Sequence, residues 1–171
     1  NLLEIAKERN IFNIITASSS SVYGNSKLKL LSEKSNTDNP NSFYAASKKT
    51  NEIIAKSYSN LYNMNIICLR FFTVYGPYGR PDMAIYKFTE SIISGKIIEL
   101  YNHGKHIRDF TFIDDVVDAI NKVLDSKSNK KNTYEVFNVA SSKPKSLIYF
   151  LNMIEKELGI KSKTKKISLQ D

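Results

Sequence analysis

Two short apolar runs, "IFNIITA" (11–17) and "NIICLRFF" (65–72), constrain the fold more than any other feature of the chain. Neither alternates polar with apolar residues, so neither suits a sheet with one wet face. Largely apolar runs of this length read as strands buried on both sides. Between them, from about Ser42 to Tyr62, the pattern is helical, with Ile54, Tyr58 and Leu61 on one stripe. Strand, helix, strand at this spacing is a βαβ unit of a parallel sheet.

Around that unit, "NLLEIAKERN" reads as a helix, and the first strand runs into the polar stretch Ser18–Ser21 and a loop reaching Pro40. Beyond the second strand, "TVYGPYGRPD" (73–82) is turn-rich. A helix (83–94), a strand (97–101) and a strand (109–113) are expected next. Asp114 or Asp115 then caps a helix reaching about Leu124. The strand "YEVFNVA" (134–140), the helix 146–159 ending at Gly159, and a last strand in "TKKISL" complete the order. The expected class is α/β in the first half with a smaller α+β part in the second.

Charge and composition remove several functions. The net charge of +8 invites nucleic acid, but the basic residues are spread along the chain, with clusters only at Lys127–Lys131 and Lys161–Lys166. No zinc spacing, helix-turn-helix or RNA-binding aromatic motif accompanies them, so no nucleic-acid partner is expected. No apolar run approaches the ~18 residues of a membrane span, and no signal-peptide pattern opens the chain. No membrane partner is expected. The single cysteine, Cys68, excludes an internal disulfide and reads as a core thiol in a reducing cytoplasm. No metal site is expected. Arginine is rare: Arg9, Arg70, Arg80 and Arg108 stand in a chain that otherwise uses lysine. The last three are candidates for planar carboxylate or phosphate contacts. For Arg70, inside a buried-looking strand, a structural ion pair is the expectation.

Three tyrosines precede a lysine by four positions: Tyr23–Lys27, Tyr44–Lys48 and Tyr101–Lys105. The first and third enclose turn residues, Gly-Asn-Ser and Asn-His-Gly. Only Tyr44 and Lys48 lie on a helix, where residues four apart share a face. A phenol needs a positive neighbour to act as a base near neutral pH, and a helix start and an ammonium both supply one. Ligands of parallel sheets sit beyond the carboxyl ends of the strands. Ser18–Ser21 and Thr73–Gly79 occupy such ends.

The segments "SSSSVYG", "FYAASKK", "LRFFTVYGPYGRPDMA" and "RDFTFIDDV", in this order, resemble the extended short-chain dehydrogenase/reductase superfamily and its NAD-dependent epimerase/dehydratases. Among these the chain is most similar to the UDP-glucuronate 4-epimerase family. The resemblance implies a Rossmann-like parallel sheet in part, with residues 1–82 as its C-terminal half. Residues 83–171 would mostly bind the nucleotide-sugar, with 107–125 a candidate to return to the sheet. It implies Tyr44, Lys48 and Ser19 as catalytic: Tyr44 the acid/base, Lys48 holding the ribose, Ser19 hydrogen bonding. Phe71 and Val74 would join Tyr44 and Lys48 in binding NAD. Ser20, Ser21, Thr73, Arg80 and Arg108 would bind the UDP-sugar, with Arg108 on the diphosphate and Arg80 on the uronic carboxylate.

Two departures from the family pattern qualify this. The Gly-x-x-Gly-x-x-Gly turn that holds the dinucleotide pyrophosphate is absent from the sequence. The expectation is therefore a fragment lacking roughly the first third of such a protein, inactive alone and a homodimer when full length. Related dehydratases carry Asp-Glu where this chain has Ser20 and Ser21, and hydroxyls cannot do that acid–base work. The alternatives are another epimerase, dehydratase or reductase acting on a neutral sugar, or a non-catalytic dinucleotide-binding relative.

Overall fold

The computed structural model describes residues 1–26, 30–126 and 133–168. In chain order the elements are α1 (Leu2–Glu8), β1 (Asn13–Ser19), a 3-10 turn (Ser20–Tyr23), α2 (Phe43–Tyr62), β2 (Asn65–Phe71), β3 (Thr73–Tyr75), α3 (Ala84–Ile93) and β4 (Ile97–Tyr101). After a second 3-10 turn (Asn102–Gly104) come β5 (Ile107–Arg108), β6 (Phe110–Phe112), α4 (Ile113–Asp125), β7 (Tyr134–Val139), β8 (Lys145–Ser146), α5 (Leu147–Leu158) and β9 (Lys163–Ile167). Two compact units form: Asn1–Phe72 with Val116–Val139, and Thr73–Asp115 with Ala140–Asp171.

The first unit holds a parallel sheet in the order β1-β2-β7, the βαβ unit read from the sequence. Its core is Ala6, Ala55, Met64, Ile66 and Cys68, with Leu3, Ile14, Tyr58, Tyr134 and Val136 packed against it. Burial pushes the Cys68 thiol up to about 11, against a weaker lowering by its hydrogen bond with Tyr134. It is an inert core thiol, as expected. β1 runs two residues later than expected. Its ladder with β2 continues through Ser18↔Arg70 and Ser19↔Phe71, so those serines belong to the strand.

α2 buries a different stripe from the one expected. Ile54 and Leu61 are exposed, while Ala45, Glu52, Ala55 and Ser59 face inward. Small residues let the helix approach the sheet closely, and the one charged member of the stripe finds a buried partner there. Ser42 caps the helix, its Oγ accepting from Ala45 N–H at 3.1 Å, and Asn63 ends it in the left-handed region at φ 56. Gly24 is needed where it stands: its φ is +57, and a Cβ there would lie 2.3 Å from the Asn39 carbonyl oxygen.

The second unit is built from two-stranded pairs: β3 with β6 and β4 with β9, both parallel, and β5 with β8, antiparallel. Phe88, Ile92, Ile98, Leu100 and Leu151 form its core, with Leu147, Ile148 and Ile154 against it. Ser146 caps α5 through Tyr149 N–H, and Gly159 closes it at φ 66. The expected strand 109–113 is shorter, Phe110–Phe112, and Asp109 lies just before it, its buried carboxylate turned inward to accept backbone amides. The expected loop 73–82 begins instead with β3. Asp114 and Asp115 do not cap α4. The helix starts at Ile113, directly from β6, and both acids lie in its first turn, where they suit the positive helix end.

The division between units falls after Phe72 rather than after 82, because β3 pairs with β6. The segment that rejoins the first unit is Val116–Val139 rather than 107–125, because β7 completes the sheet beside β2. The lysine cluster 127–131 lies, but for no residue, outside the described residues. No described helix is long and apolar enough to cross a membrane.

Candidate active site

Tyr44 and Lys48 sit in the first turns of α2, just past its Ser42 cap. Ala45 between them is fully buried and anchors the turn, which leaves Tyr44 55% exposed. Lys48 reaches over it: the ammonium lies 5.8 Å from the Tyr44 ring centroid. Its Nζ also donates to the Ala17 carbonyl of β1 at 3.2 Å. The pair is thereby tied to the carboxyl end of that strand. Ser47 between them donates to the Tyr44 carbonyl at 2.8 Å and stays on the outside of the turn.

A buried polar network fixes the helix that carries the pair. Glu52, one turn beyond Lys48, accepts from Arg70 Nε and Nη2, both at 2.8 Å, and from Ser18 Oγ at 2.5 Å. Burial alone would raise the Glu52 carboxyl, but the hydrogen bonds from Arg70 and Ser18 outweigh it, so the group lies below its usual range. Burial likewise opposes the charge of Arg70, and its bonds to Glu52 and Tyr23 more than restore it. The structural ion pair expected of Arg70 is present. Arg70 Nη1 donates to Tyr23 Oη at 2.9 Å, and Tyr23 donates to Asn138 Oδ1 at 2.6 Å.

That network also separates the three tyrosines. Tyr23 is buried in the scaffold, and Lys27 lies outside the described residues. Tyr101 ends β4, donates to Glu99 Oε2 at 3.4 Å, and is followed by a 3-10 turn before Lys105. Among the described residues, the Tyr44–Lys48 spacing is the helical one.

Ser19 ends β1, nearly buried, opposite Phe71 at the end of β2. Its Oγ accepts from Ser21 N–H and donates to Ser21 Oγ, each at 3.1 Å. Ser20 opens the 3-10 turn between them. The first unit thus gathers Ser19, Ser20, Ser21, Phe71, Tyr44 and Lys48 at the carboxyl ends of its parallel strands. These positions can offer hydroxyl, phenol and ammonium groups to a polar ligand.

The remaining candidates lie in the second unit. Thr73 N–H donates to the Asp109 carbonyl at 3.0 Å, and Val74 pairs with Thr111 in register. Arg80 is largely exposed and holds Asp82 at two points, Nε to Oδ1 at 3.0 Å and Nη2 to Oδ2 at 2.8 Å. That contact holds the Asp82 carboxyl below its usual range. Arg108 is exposed on β5, its Nη1 donating to the neighbouring Ile107 carbonyl at 3.0 Å. The sequence reading passed over Glu52 and Asp109. Glu52 carried a usable signal, standing four residues past Lys48 on an α2 stripe otherwise made of small residues.

Residues 1–140 match the model of the NAD dependent epimerase/dehydratase family. The uncharacterized protein MJ1055 of Methanocaldococcus jannaschii is 48% identical over 171 residues, covering 100% of this chain and 51% of that protein. UDP-glucuronate 4-epimerase 4 of Arabidopsis thaliana is 43% identical over 182 residues, covering 99% of this chain and 42% of that protein. The chain thus spans about half the length of these curated relatives or less. Among solved structures, the UDP-glucuronic acid 4-epimerase of Bacillus cereus, in complex with UDP-glucuronic acid and NAD, is similar at a TM-score of 0.90 and 32% identity. That likeness covers 98% of this chain and 52% of the solved one. With a partly Rossmann-like α/β fold and most of its length matched by the family model, the chain belongs to the NAD dependent epimerase/dehydratase family.

Proposed function

We propose that this chain carries the proton-transfer part of a nucleotide-sugar epimerase that inverts C4 of UDP-glucuronate through a transient 4-keto sugar, with tightly bound NAD. The observation that carries the reading is the Tyr44–Lys48 pair, helical, exposed and tied by Lys48 to the end of β1. The donor set suits the ribose end of a dinucleotide. Lys48 spends one donor on Ala17 and keeps two, and the Tyr44 hydroxyl has no hydrogen-bond partner among the described residues. Phe71, which ends β2, would join them at that end. When bound, NAD supplies reversible two-electron chemistry at the sugar C4.

Tyr44 Oη takes the proton of the 4-hydroxyl as that carbon becomes a ketone, and returns it after the sugar has turned over. Lys48 orients the ribose and keeps a positive charge beside the phenol. Ser19 hydrogen-bonds the same hydroxyl, while Ser20 and Ser21 bind the sugar without acid–base work at C5 or C6. Thr73 and Arg108 meet the phosphates. A binding relative without chemistry would need neither Tyr44 nor Lys48 in this arrangement. The exposed Phe43, Ile53, Ile54 and Leu61 of α2 support pairing with a second copy. A free buried thiol is in keeping with a cytoplasmic setting.

Tyr44→Phe in the protein that carries this chain tests the reading. Turnover of UDP-glucuronate should fall by at least ~100-fold with UDP affinity retained. Tyr23→Phe, its control, should lower stability and spare turnover. Wild-type turnover in Tyr44→Phe would overturn the assignment. A second reading, a neutral-sugar substrate, is favoured by one observation: Arg80 already has a carboxylate partner in Asp82.

A further inference from the structure

β5 and β8 are two residues each, and their antiparallel register sets Arg108 directly opposite Lys145. Side chains so opposed share one face, with Cβ atoms about 5 Å apart, and like charges there destabilise the pairing. Both residues are exposed. Among the described residues the ion pairs of this unit are Arg80–Asp82, Lys96–Glu90 and Lys161–Glu155, and neither Arg108 nor Lys145 joins one.

The carboxylate next in sequence is withdrawn from the pair. Asp109 is 9% exposed and spends its oxygens on Ser141 N–H, Lys143 N–H and Thr111 Oγ1. Meanwhile Lys145 rests its ammonium 4.9 Å from the Tyr149 ring centroid, which holds the charge in place without neutralising it. α5 begins two residues later at Leu147 and adds the positive end of a twelve-residue helix.

We propose that Lys145 binds the diphosphate of the nucleotide-sugar together with Arg108. The inference rests on the reading of Arg108 as a diphosphate contact and adds a second cation to it. A guanidinium offers a planar fork and an ammonium a compact point charge. A dianion between them turns one repulsion into two attractions.

The test is calorimetric titration of the protein carrying this chain with UDP, at low and moderate salt, for wild type, Lys145→Met, Lys145→Gln and Arg108→Met. Each Lys145 variant should bind UDP about tenfold more weakly and with a shallower salt dependence. Uridine, which lacks phosphate, should bind these variants and wild type alike. Without ligand, the melting temperature of Lys145→Gln should equal or exceed that of wild type, since a repulsion is gone; a structural lysine would lower it. UDP affinity within about twofold of wild type in the folded Lys145 variants, with affinity lost in Arg108→Met, overturns the proposal and leaves the Arg108 reading standing. Unchanged UDP affinity in all three variants overturns both.

Discussion

Arg70 and Glu52 join β2 to α2 through a buried two-point ion pair, Nε to Oε1 and Nη2 to Oε2, each at 2.8 Å. Both side chains are about 95% or more withdrawn from solvent, at 5% and 3% exposure. Removing one partner leaves the other as an uncompensated buried charge, which typically costs about 3–5 kcal/mol. Arg70→Met should therefore lower the unfolding free energy by that order in a urea titration. Glu52→Gln should cost at least as much, since the guanidinium stays charged and buried and one of its donors meets an amide N–H instead of a carboxylate oxygen. A loss under about 1 kcal/mol in Arg70→Met would mean that the pair is solvated in solution.

Acid should weaken both units through depressed carboxylates. Glu155 is held at about 2, first by its hydrogen bond from Lys161 and then by those from Ser162. Its folded value lies below the ordinary 4.5, so its contribution is fully present above 4.5 and is lost as pH falls toward about 2. Glu52, also lowered, acts in the same direction. Thermal melts should lose stability through this window. Glu155→Gln should remove part of that slope, and an unaltered slope would count against the contact.

Arg80 decides between the two substrate readings. If it leaves Asp82 to meet a uronic carboxylate, a charge-assisted two-point contact is gained, typically ~2–4 kcal/mol in a desolvated site. Arg80→Ala should then weaken UDP-glucuronate binding far more than UDP-glucose binding. Equal effects on both ligands would leave Arg80 as the surface partner of Asp82 and favour the neutral sugar.

Much of the fold was legible because its signals were local. Apolar-rich runs marked β1 and β2, and Ser42, Asn63, Ser146 and Gly159 punctuate α2 and α5 at the ends of their patterns. What the sequence hid was set by partners distant in the chain. β3 and β8 exist only through pairing with β6 and β5, and three or two residues carry no periodicity of their own. The inner stripe of α2 was hidden because its decisive contact, Glu52 with Arg70, buries charge where a hydrophobic pattern predicts apolar residues. The Tyr44–Lys48 pair was legible from helical spacing, but its tie to the Ala17 carbonyl was not.

Asp109 marks a position whose role follows from contacts alone. Its carboxylate accepts from Ser141 N–H at 2.7 Å, Lys143 N–H at 3.0 Å and Thr111 Oγ1 at 3.0 Å, while its carbonyl accepts from Thr73 N–H at 3.0 Å. One residue thus ties the β3–β6 pair to the turn leading into β8. Within that turn Ser142 is held at φ 59, a conformation that a serine adopts at a cost unless its surroundings impose it. Asp109→Ala removes the acceptor of the half-buried Ser141 N–H, at roughly 1–3 kcal/mol, and leaves Lys143 N–H with only its longer bond to Ser141 Oγ at 3.3 Å. Asp109→Asn keeps one acceptor oxygen and should lose about half as much. Because Arg108 precedes Asp109 directly, the looser turn should raise KM for the UDP-sugar more than it lowers kcat. Urea titration of both variants, beside steady-state kinetics of Asp109→Asn, checks the two claims separately. Equal stability of Asn and Ala variants would remove the second amide bond from the account, and a fall confined to kcat would show that Asp109 does not act through Arg108.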